Sequence, residues 1–362
     1  MSKPTTRRVA VLIVATFLLS SAAFSQFTNV DFLRSAPADA VKFVQAFISP
    51  WANAFGAGLN GSWYTTAKPH KLGGFDITTS FNVGIVPESA GTFEISSIGL
   101  SSAITGSGSA PTVSGPKTDG PILTYTSGGY TMATFNTPPG LGWRYIPTPM
   151  LQVGIGLPFG TELKGRFIPK IPISDGNVSM WGIGLMHSIM QYIPGNKLLP
   201  LDASIFAGYT RLNGNIPVDL LPDPAFPTNY TTINPVTYFS GQNISAVVSA
   251  LNISAIGSVN LKIITIYAGL GYSKTKTSVE MQGNYPAPVL VTSGSPHVEY
   301  NDVAGSGSIK TGDDFPKMNI ENFSGLRANA GLRLKLAVIT IHFDYTRAQY
   351  NVVSTGLGIS FR

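Results

Sequence analysis

Apolar and polar residues alternate along much of the chain from about Leu151 to the C-terminus, most clearly in Leu326–Leu336. There leucine and alanine occupy the even positions, while Arg327, Arg333 and Lys335 lie at odd positions with asparagine and glycine. Successive side chains of a strand point to opposite faces, so this segment has one apolar and one cationic face. A soluble sandwich would bury the apolar face, whereas a membrane barrel would turn it to lipid and the charges to its lumen.

The same alternation predicts an all-β chain, a transmembrane antiparallel β-barrel of 12 strands with a short N-terminal amphipathic helix. Its strands are expected at about residues 75–86, 92–101, 121–135, 147–157, 160–170, 177–192, 199–212, 241–257, 262–280, 322–336, 339–349 and 352–362. Bacterial single-chain barrels have an even number of strands. Fourteen strands is the alternative, if the region 102–146 holds two more.

Connection lengths give the predicted barrel a direction. Such barrels have short periplasmic turns and longer external loops. If the last strand ends in the periplasm, the short connections at 158–159, 193–198, 258–261 and 337–338 are periplasmic. The long segments 213–240 and 281–321 are then external. One connection, 102–120, is long and still falls on the periplasmic side.

One amphipathic helix is predicted before the barrel, over Val30–Ser49. Ala40, Val41, Val44, Phe47 and Ile48 recur there at helical spacing. The proline at position 37 suits a first turn, and the proline at position 50 is expected to end the helix. The helix either packs on the barrel mouth or forms a plug inside the lumen, because amphipathicity shows only that one face is buried.

The start of the chain has the pattern of a secretory signal peptide. Lys3, Arg7 and Arg8 precede the apolar run Val9–Leu19, and Ala23-Phe24-Ser25 offers a cleavage site. The domain prediction is therefore a signal peptide at 1–25, a helix and linker at 26–72 that is a possible plug, and the barrel at 73–362. No later run of 18 apolar residues predicts a transmembrane helix.

Composition favours the membrane barrel. Charged residues make up 12% of the chain, which also has 39 glycines and no cysteine. A soluble domain carries about twice that share of charge. Cleavage of the signal peptide would remove three of the 24 basic residues against 18 acidic ones, and no basic run remains. We therefore expect no nucleic-acid partner.

The C-terminal strand and several segments carry a family resemblance. Apolar residues alternate from Val353 to Phe361, which resembles the signal that barrel-assembly machinery reads in outer-membrane proteins. The chain is similar to uncharacterised outer-membrane barrels of Bacteroidota, which carry a domain of unknown function and distantly resemble the long-chain fatty acid transporters. The segments that carry this resemblance are Gly56-Ala57-Gly58-Leu59-Asn60 through Trp63, Thr66-Ala67-Lys68-Pro69-His70, Gly73-Gly74-Phe75-Asp76, Pro149–Gly160 and Gly356-Leu357-Gly358-Ile359-Ser360-Phe361-Arg362.

That resemblance implies export to the outer membrane of a Gram-negative bacterium, contact with outer-membrane lipid, and recognition by barrel-assembly machinery. It also implies transport. We expect passage of a hydrophobic or small amphiphilic solute, and a structural or assembly role in an outer-membrane complex without transport is the alternative.

Strand parity predicts which charged side chains face the lumen. These residues are Glu162, Lys164, Arg166, Asp202, Arg327, Arg333, Lys335, His342 and Asp344. Two interpretations stay open. Paired charges could pack the lumen and close a narrow barrel, or they could line a polar route that tunes solute choice.

Catalytic and metal chemistry are not expected. His342 and Asp344 share a strand face, as a carboxylate that orients an imidazole would, but no serine lies in a nucleophile motif. The other histidines, His70, His187 and His297, are scattered, and no residues have metal-ligand spacing. The sequence predicts a protein that is not an enzyme and needs no cofactor.

One predicted external segment, Ile216–Tyr230, is unusually apolar. Its apolar residues are Ile216, Val218, Leu220, Leu221 and Phe226. The segment either folds over the barrel mouth or offers an apolar surface to a hydrophobic ligand or a partner protein.

Overall fold

The computed structural model describes residues 36–173, 175–194, 200–224 and 226–361. The predicted signal peptide at 1–25, and the part of the predicted helix before residue 36, lie outside the described residues.

Ten antiparallel strands close into a barrel. They are β1 (Phe75–Ile85), β2 (Tyr145–Leu157), β3 (Thr161–Ile173), β4 (Gly176–Ser188), β5 (Leu201–Pro217), β6 (Asn243–Leu261), β7 (Ile264–Gln282), β8 (Met318–Leu336), β9 (Ile339–Arg347) and β10 (Asn351–Phe361). Each strand pairs with its neighbours in the chain, and β1 pairs with both β2 and β10. This closure leaves no strand edge in the wall, as a sheet in lipid requires.

The predicted number of 12 strands, and the alternative of 14, are both wrong. The two extra strands, at 92–101 and 121–135, fall in the segment 86–144 between β1 and β2. That segment forms small separate sheets from Thr92–Glu94 with Ser109–Pro111, and from Ile104–Thr105, Ile122–Ser127 and Tyr130–Asn136. Its two 3-10 turns are Glu88–Ala90 and Ile95–Ile98. Alternation reports a half-buried strand but does not say which sheet the strand joins.

With ten strands, the three longest connections fall at the same end of the barrel, where the connections between β3 and β4 and between β9 and β10 are short. The long segments 86–144, 218–242 and 283–317 lie together at one end of the barrel, the loop end. Short connections at 158–160, 262–263 and 337–338 lie at the opposite end, the turn end, with segment 189–200. The single exception in the predicted pattern, 102–120, disappears because it belongs to a loop-end segment.

The loop-end segments have short elements of their own. These are the strands Thr228–Asn229, Asn284–Pro286, Val289–Val291, His297–Asn301 and Ile309–Thr311, the helical turn Pro235–Tyr238 and the 3-10 turn Gly312–Asp314. A further 3-10 turn, Met190–Tyr192, lies at the turn end. Thr228–Asn229 pairs with part of His297–Asn301, so two different loops are joined.

Helix α1 (Pro37–Leu59) precedes the barrel and is longer than predicted. Pro37 lies in its first turn, as expected, but the prediction that the helix ends at Pro50 is wrong. An internal proline costs about 3 kcal/mol or more. Burial of Ala54, Phe55 and Leu59 in the second half offsets that cost. Within the described residues, no helix is long and apolar enough to cross a membrane.

The two faces of the barrel wall differ as the strand pattern predicts. In Leu326–Leu336, the side chain of Leu326 is 84% exposed, while Arg327 is 5% exposed. On β9, Ile341 and Phe343 are exposed and the residues between them are buried. The outer face is therefore apolar and the inner face polar, which is the arrangement of a barrel in lipid rather than of a soluble sandwich.

Candidate functional site

Helix α1 lies inside the barrel, because glycines bring it against strands on opposite sides of the ring. A Cβ on Gly58 would lie 2.9 Å from Thr148 Cβ on β2, and one on Gly56 would lie 3.0 Å from Thr275 Cβ on β7. Gly84 of β1 touches the helix backbone, since a Cβ there would overlap the carbonyl oxygen of Ala54. Within the predicted helix and linker at 26–72, the helix thus continues to Leu59, and its glycines at 56 and 58 permit this close approach.

Residues 60–72 follow α1 through the lumen to the turn end, and together with the helix they form the plug. Arg166 of β3 holds the joint between the two parts. Its guanidinium donates to Leu59 O at 2.7 Å, to Gly61 O at 2.6 Å and to Gln152 Oε1 at 3.0 Å. The same group lies 3.6 Å from the ring centroid of Trp63. All five donors of arginine are fixed in one plane, so this fork can hold two carbonyls at once.

Arg327 of β8 contacts the same joint from another part of the wall. It donates to Asn60 O at 2.7 Å and to Thr346 Oγ1 at 3.1 Å. The last carbonyls of a helix lack intrahelical donors and carry partial negative charge. The buried guanidinium groups of Arg166 and Arg327 therefore offset the partial negative charge at the C-terminal end of α1.

Further polar contacts join the plug to the wall on the turn-end side of this joint. Ser62 Oγ donates to Asn82 Oδ1 at 2.6 Å, and Tyr64 OH donates to Asn329 Oδ1 at 2.7 Å. The Trp63 ring lies 5.3 Å from the ring of Phe206. The plug thus closes the middle of the barrel with aromatic packing and hydrogen bonds to the wall.

An apolar pocket of about 100 Å³ lies nearer the loop end, between α1 and the wall. Thr277 supplies its one side-chain hydroxyl among the described lining residues, and no charged group lines it. Its walls include Trp51 and Phe55 of α1, Leu212, Ile216 and Ala246 of the barrel, and Val113 of segment 86–144. An apolar cavity of ~150 Å³ holds benzene, so this pocket suits a hydrocarbon group of a few carbons.

A polar cluster lies at the turn end, where the plug leaves the lumen. Glu162 Oε2 accepts from the backbone nitrogen of His70 at 2.9 Å and lies 3.1 Å from His70 Nδ1. Asp76 Oδ1 lies 3.7 Å from the same ring nitrogen. Lys164 Nζ pairs with Glu162 Oε1. These residues come from the plug, β1 and β3, far apart in sequence.

The nine residues predicted to face the lumen do not form one site. Those that are buried inside the barrel are Glu162, Lys164, Arg166, Arg327, His342 and Asp344, while Asp202, Arg333 and Lys335 are half-buried. His342 Nε2 lies 3.4 Å from Ser62 Oγ, whereas Asp344 accepts from Tyr267 OH at 3.0 Å. The imidazole and carboxylate of the candidate pair each have a separate partner.

The predicted apolar loop needs one correction. Ile216 does not lie in a loop but in β5, where its side chain lines the apolar pocket. The rest of the set, Val218, Leu220, Leu221 and Phe226, lies in segment 218–242, where Leu221 is 39% exposed and the other three are half-buried. Strand β5 pairs with β6 as far as Pro217, so it extends past its predicted end at residue 212.

Segments 218–242 and 283–317 pack on each other at the loop end. Phe226 lies 6.3 Å from the ring of Tyr300. Asp302 accepts from the backbone nitrogens of Thr231 at 2.7 Å and of Ile233 at 3.3 Å. Hydrogen bonds from the Thr232 backbone and side chain lower the pKa of Asp302 below its usual value. The apolar loop is therefore tied to its neighbour.

Sequence reasoning missed the plug residues that complete the site. Asn60, Trp63 and His70 lie in a stretch without periodicity, so no pattern marked them. Their partners on the wall are about 90 to 270 positions away in the chain. The one available signal was the density of polar and aromatic residues between the helix and β1.

Solved structures similar to this chain include three outer-membrane proteins. The translocator domain of autotransporter NalP from Neisseria meningitidis is 11% identical, with 91% of this chain and 99% of that chain covered and a TM-score of 0.27. The outer membrane protease OmpT from Escherichia coli is 8% identical, with 83% of this chain and 100% of that chain covered and a TM-score of 0.30. A FadL homologue of Pseudomonas aeruginosa is 10% identical, with 80% of this chain and 89% of that chain covered and a TM-score of 0.21.

No curated protein matches the chain. The Bacteroidota source that the resemblance implied stays a prediction. A family model matches residues 3–361, which is nearly the whole chain. The chain therefore belongs to the family of unknown function DUF6588.

Proposed function

We propose that this protein is an outer-membrane barrel that binds a small hydrophobic solute, or the apolar end of an amphiphilic one, between α1 and the wall. The observation that carries this proposal is the apolar pocket bounded by Trp51, Phe55 and Ala246. A pocket with no charge among its lining residues favours a hydrocarbon group, because a polar group would lose its hydration without gaining partners.

The location in the outer membrane is supported by three features of the chain. The outer face of the barrel is apolar, the closed ring has no unpaired edge, and the loop lengths differ between the two ends. The loop end then faces the exterior and the turn end the periplasm. We expect cleavage of the signal peptide at residue 25 and recognition of β10 by barrel-assembly machinery.

Passage of a solute beyond the pocket requires the plug to move. The joint held by Arg166 and Arg327 lies between the pocket and the turn end. A solute that enters from the loop end therefore meets a closed barrel. Binding is the step that the geometry supports directly, and transport is the extension of the proposal that depends on plug movement.

The pocket is tested by filling it from the wall. Ala246→Phe is expected to weaken binding of 1-bromopropane at least ~tenfold, because the added ring occupies the hydrocarbon volume. Binding is measured in detergent as saturable quenching of tryptophan fluorescence, since Trp51 lines the pocket. Ala255→Phe is the matched control, because it lies on the same strand with its side chain exposed on the outer face. Equal quenching of both variants would refute the pocket.

A structural role in an outer-membrane complex is the second candidate. The plugged lumen favours it, because the contacts of Arg166 and Arg327 hold the plug across the lumen. Under this alternative, wild-type protein would show no saturable quenching and would co-purify with a stoichiometric partner. Neither candidate assigns catalysis to the chain, and we propose that His342 and Asp344 act through their contacts with Ser62 and Tyr267.

A further inference from the structure

We propose that His70, Asp76 and Glu162 bind a divalent metal ion at the turn end, with Zn²⁺ as the best match. The imidazole Nδ1 and one oxygen of each carboxylate all lie within 4.8 Å of one another. His70 belongs to the plug, Asp76 to β1 and Glu162 to β3. One bound ion would therefore join the end of the plug to two strands of the wall.

The distances suit a small ion. His70 Nδ1 lies 3.1 Å from Glu162 Oε2 and 3.7 Å from Asp76 Oδ1. Two ligands at bonds of about 2.0–2.2 Å in tetrahedral geometry are separated by about 3.3–3.6 Å. Shifts of a few tenths of an ångström would bring each carboxylate oxygen to that distance from His70 Nδ1, and the two carboxylate oxygens already lie within 4.8 Å of each other. An imidazole and two carboxylates are ligands that Zn²⁺ accepts, and a water would complete four-coordination.

The orientation of His70 is the second and independent observation. Its side chain is 9% exposed, and its Nδ1 is buried and makes no hydrogen bond. Its Nε2 lies 3.1 Å from Ser360 Oγ. In the tautomer whose Nε2 donates to Ser360, the lone pair of Nδ1 points at two carboxylates, and this is favourable only when a metal ion, or a proton on Nδ1, lies between them. Metal-binding histidines commonly donate their other ring nitrogen in this way.

In the surroundings of the cluster, each carboxylate has one oxygen bound to another side chain, Lys164 for Glu162 and Thr78 for Asp76, and one oxygen facing His70. Lys164 pairs with Glu162 Oε1, whereas Oε2 faces His70 Nδ1 and accepts from the His70 backbone nitrogen, which leaves Oε2 one further lone pair for an ion. Glycine at position 154 is required, since a Cβ there would collide with both carboxylates. The next plug residues, Lys71 and Leu72, are exposed, and an ion therefore has a short path from solvent.

Metal binding is tested on the full chain, purified through a tag without histidine, stripped with a chelator and refolded in detergent. Equilibrium dialysis is expected to give one Zn²⁺ per wild-type chain. His70→Ala and Glu162→Gln should each weaken binding at least ~tenfold, because each removes a ligand. The matched controls His297→Ala and Glu299→Gln should bind as wild type, since this pair, 3.4 Å apart, lies in segment 283–317 at the opposite end of the barrel.

Two results would overturn the proposal. Wild type that retains Zn²⁺ no better than His70→Ala would mean that the cluster is an imidazolium–carboxylate ion pair only. Because a ligand variant can fail to fold, stripped wild type is also heated with and without Zn²⁺. Zn²⁺ should raise the unfolding temperature more than Mg²⁺ does, and equal temperatures would contradict the site. The site lies beyond the proposed function, and Ala246→Phe should bind Zn²⁺ as wild type does.

Discussion

Replacing Arg166 with methionine is expected to lower the free energy of unfolding by on the order of 4 kcal/mol. Methionine keeps much of the side-chain volume but donates no hydrogen bond. The carbonyls of Leu59 and Gly61 would then be buried without these donors, and each unsatisfied group costs about 1–3 kcal/mol. The contact of the guanidinium with Trp63 is lost as well. Urea unfolding of the refolded protein in detergent measures the change.

The matched control for this prediction is Arg347→Met. Arg347 is exposed at the end of β9, so its replacement should change stability by no more than about 0.5 kcal/mol. Both variants are first checked for heat-modifiable migration on a gel, which reports a folded barrel. If Arg166→Met unfolds at the same urea concentration as the control, the arginine does not hold the plug.

Gly84→Ala is expected to displace the second half of α1 from the wall. The added methyl group would overlap the carbonyl oxygen of Ala54, and backbone cannot move aside as a flexible side chain can. Overpacking of this kind costs about 1–3 kcal/mol. Hydrogen exchange of the amides in residues 50–59 should therefore accelerate by about tenfold or more, because the helix opens from its packed position more often.

Gly165→Ala is the control, since a Cβ at that position would meet no atom within 4 Å. It also lies in a barrel strand, so both variants make the same change in a strand backbone. Similar exchange rates for Gly84→Ala and Gly165→Ala would show that α1 does not press against β1.

The strand pattern predicted the barrel wall well because it is a local property of the chain. The strand expected at 147–157 is Tyr145–Leu157, and the one expected at 339–349 is Ile339–Arg347. The extra strands at 92–101 and 121–135 alternate too, but their residues Ile95, Leu123 and Phe135 bury their side chains in one cluster with Phe43 of the plug. Alternation records burial of one face, and burial against a helix gives the same signal as burial in a wall.

The candidate site was predicted only on its wall side. Strand parity placed Arg166 on the inner face, but its partners, Leu59 and Gly61, depend on how the chain threads the lumen. The predicted end of α1 was wrong because an internal proline usually ends a helix. Here burial of the second half of the helix inside the barrel outweighs that preference of Pro50. His70 was dismissed as isolated because only barrel closure brings it beside Glu162.

A disulfide between the helix and the wall tests most directly whether α1 lies inside the barrel. The chain has no cysteine, so Gly56→Cys with Thr275→Cys introduces a single possible pair. Their Cβ positions lie 3.0 Å apart, and the helix must move from the wall by about half an ångström or more to reach the ~3.5–4.5 Å that a disulfide spans. In oxidised outer membranes, this variant is expected to lose both free thiols and to yield a linked peptide after proteolysis. Gly56→Cys with Leu270→Cys should stay reduced, because Leu270 is exposed on the outer face. Two free thiols in the first variant would contradict a helix inside the barrel.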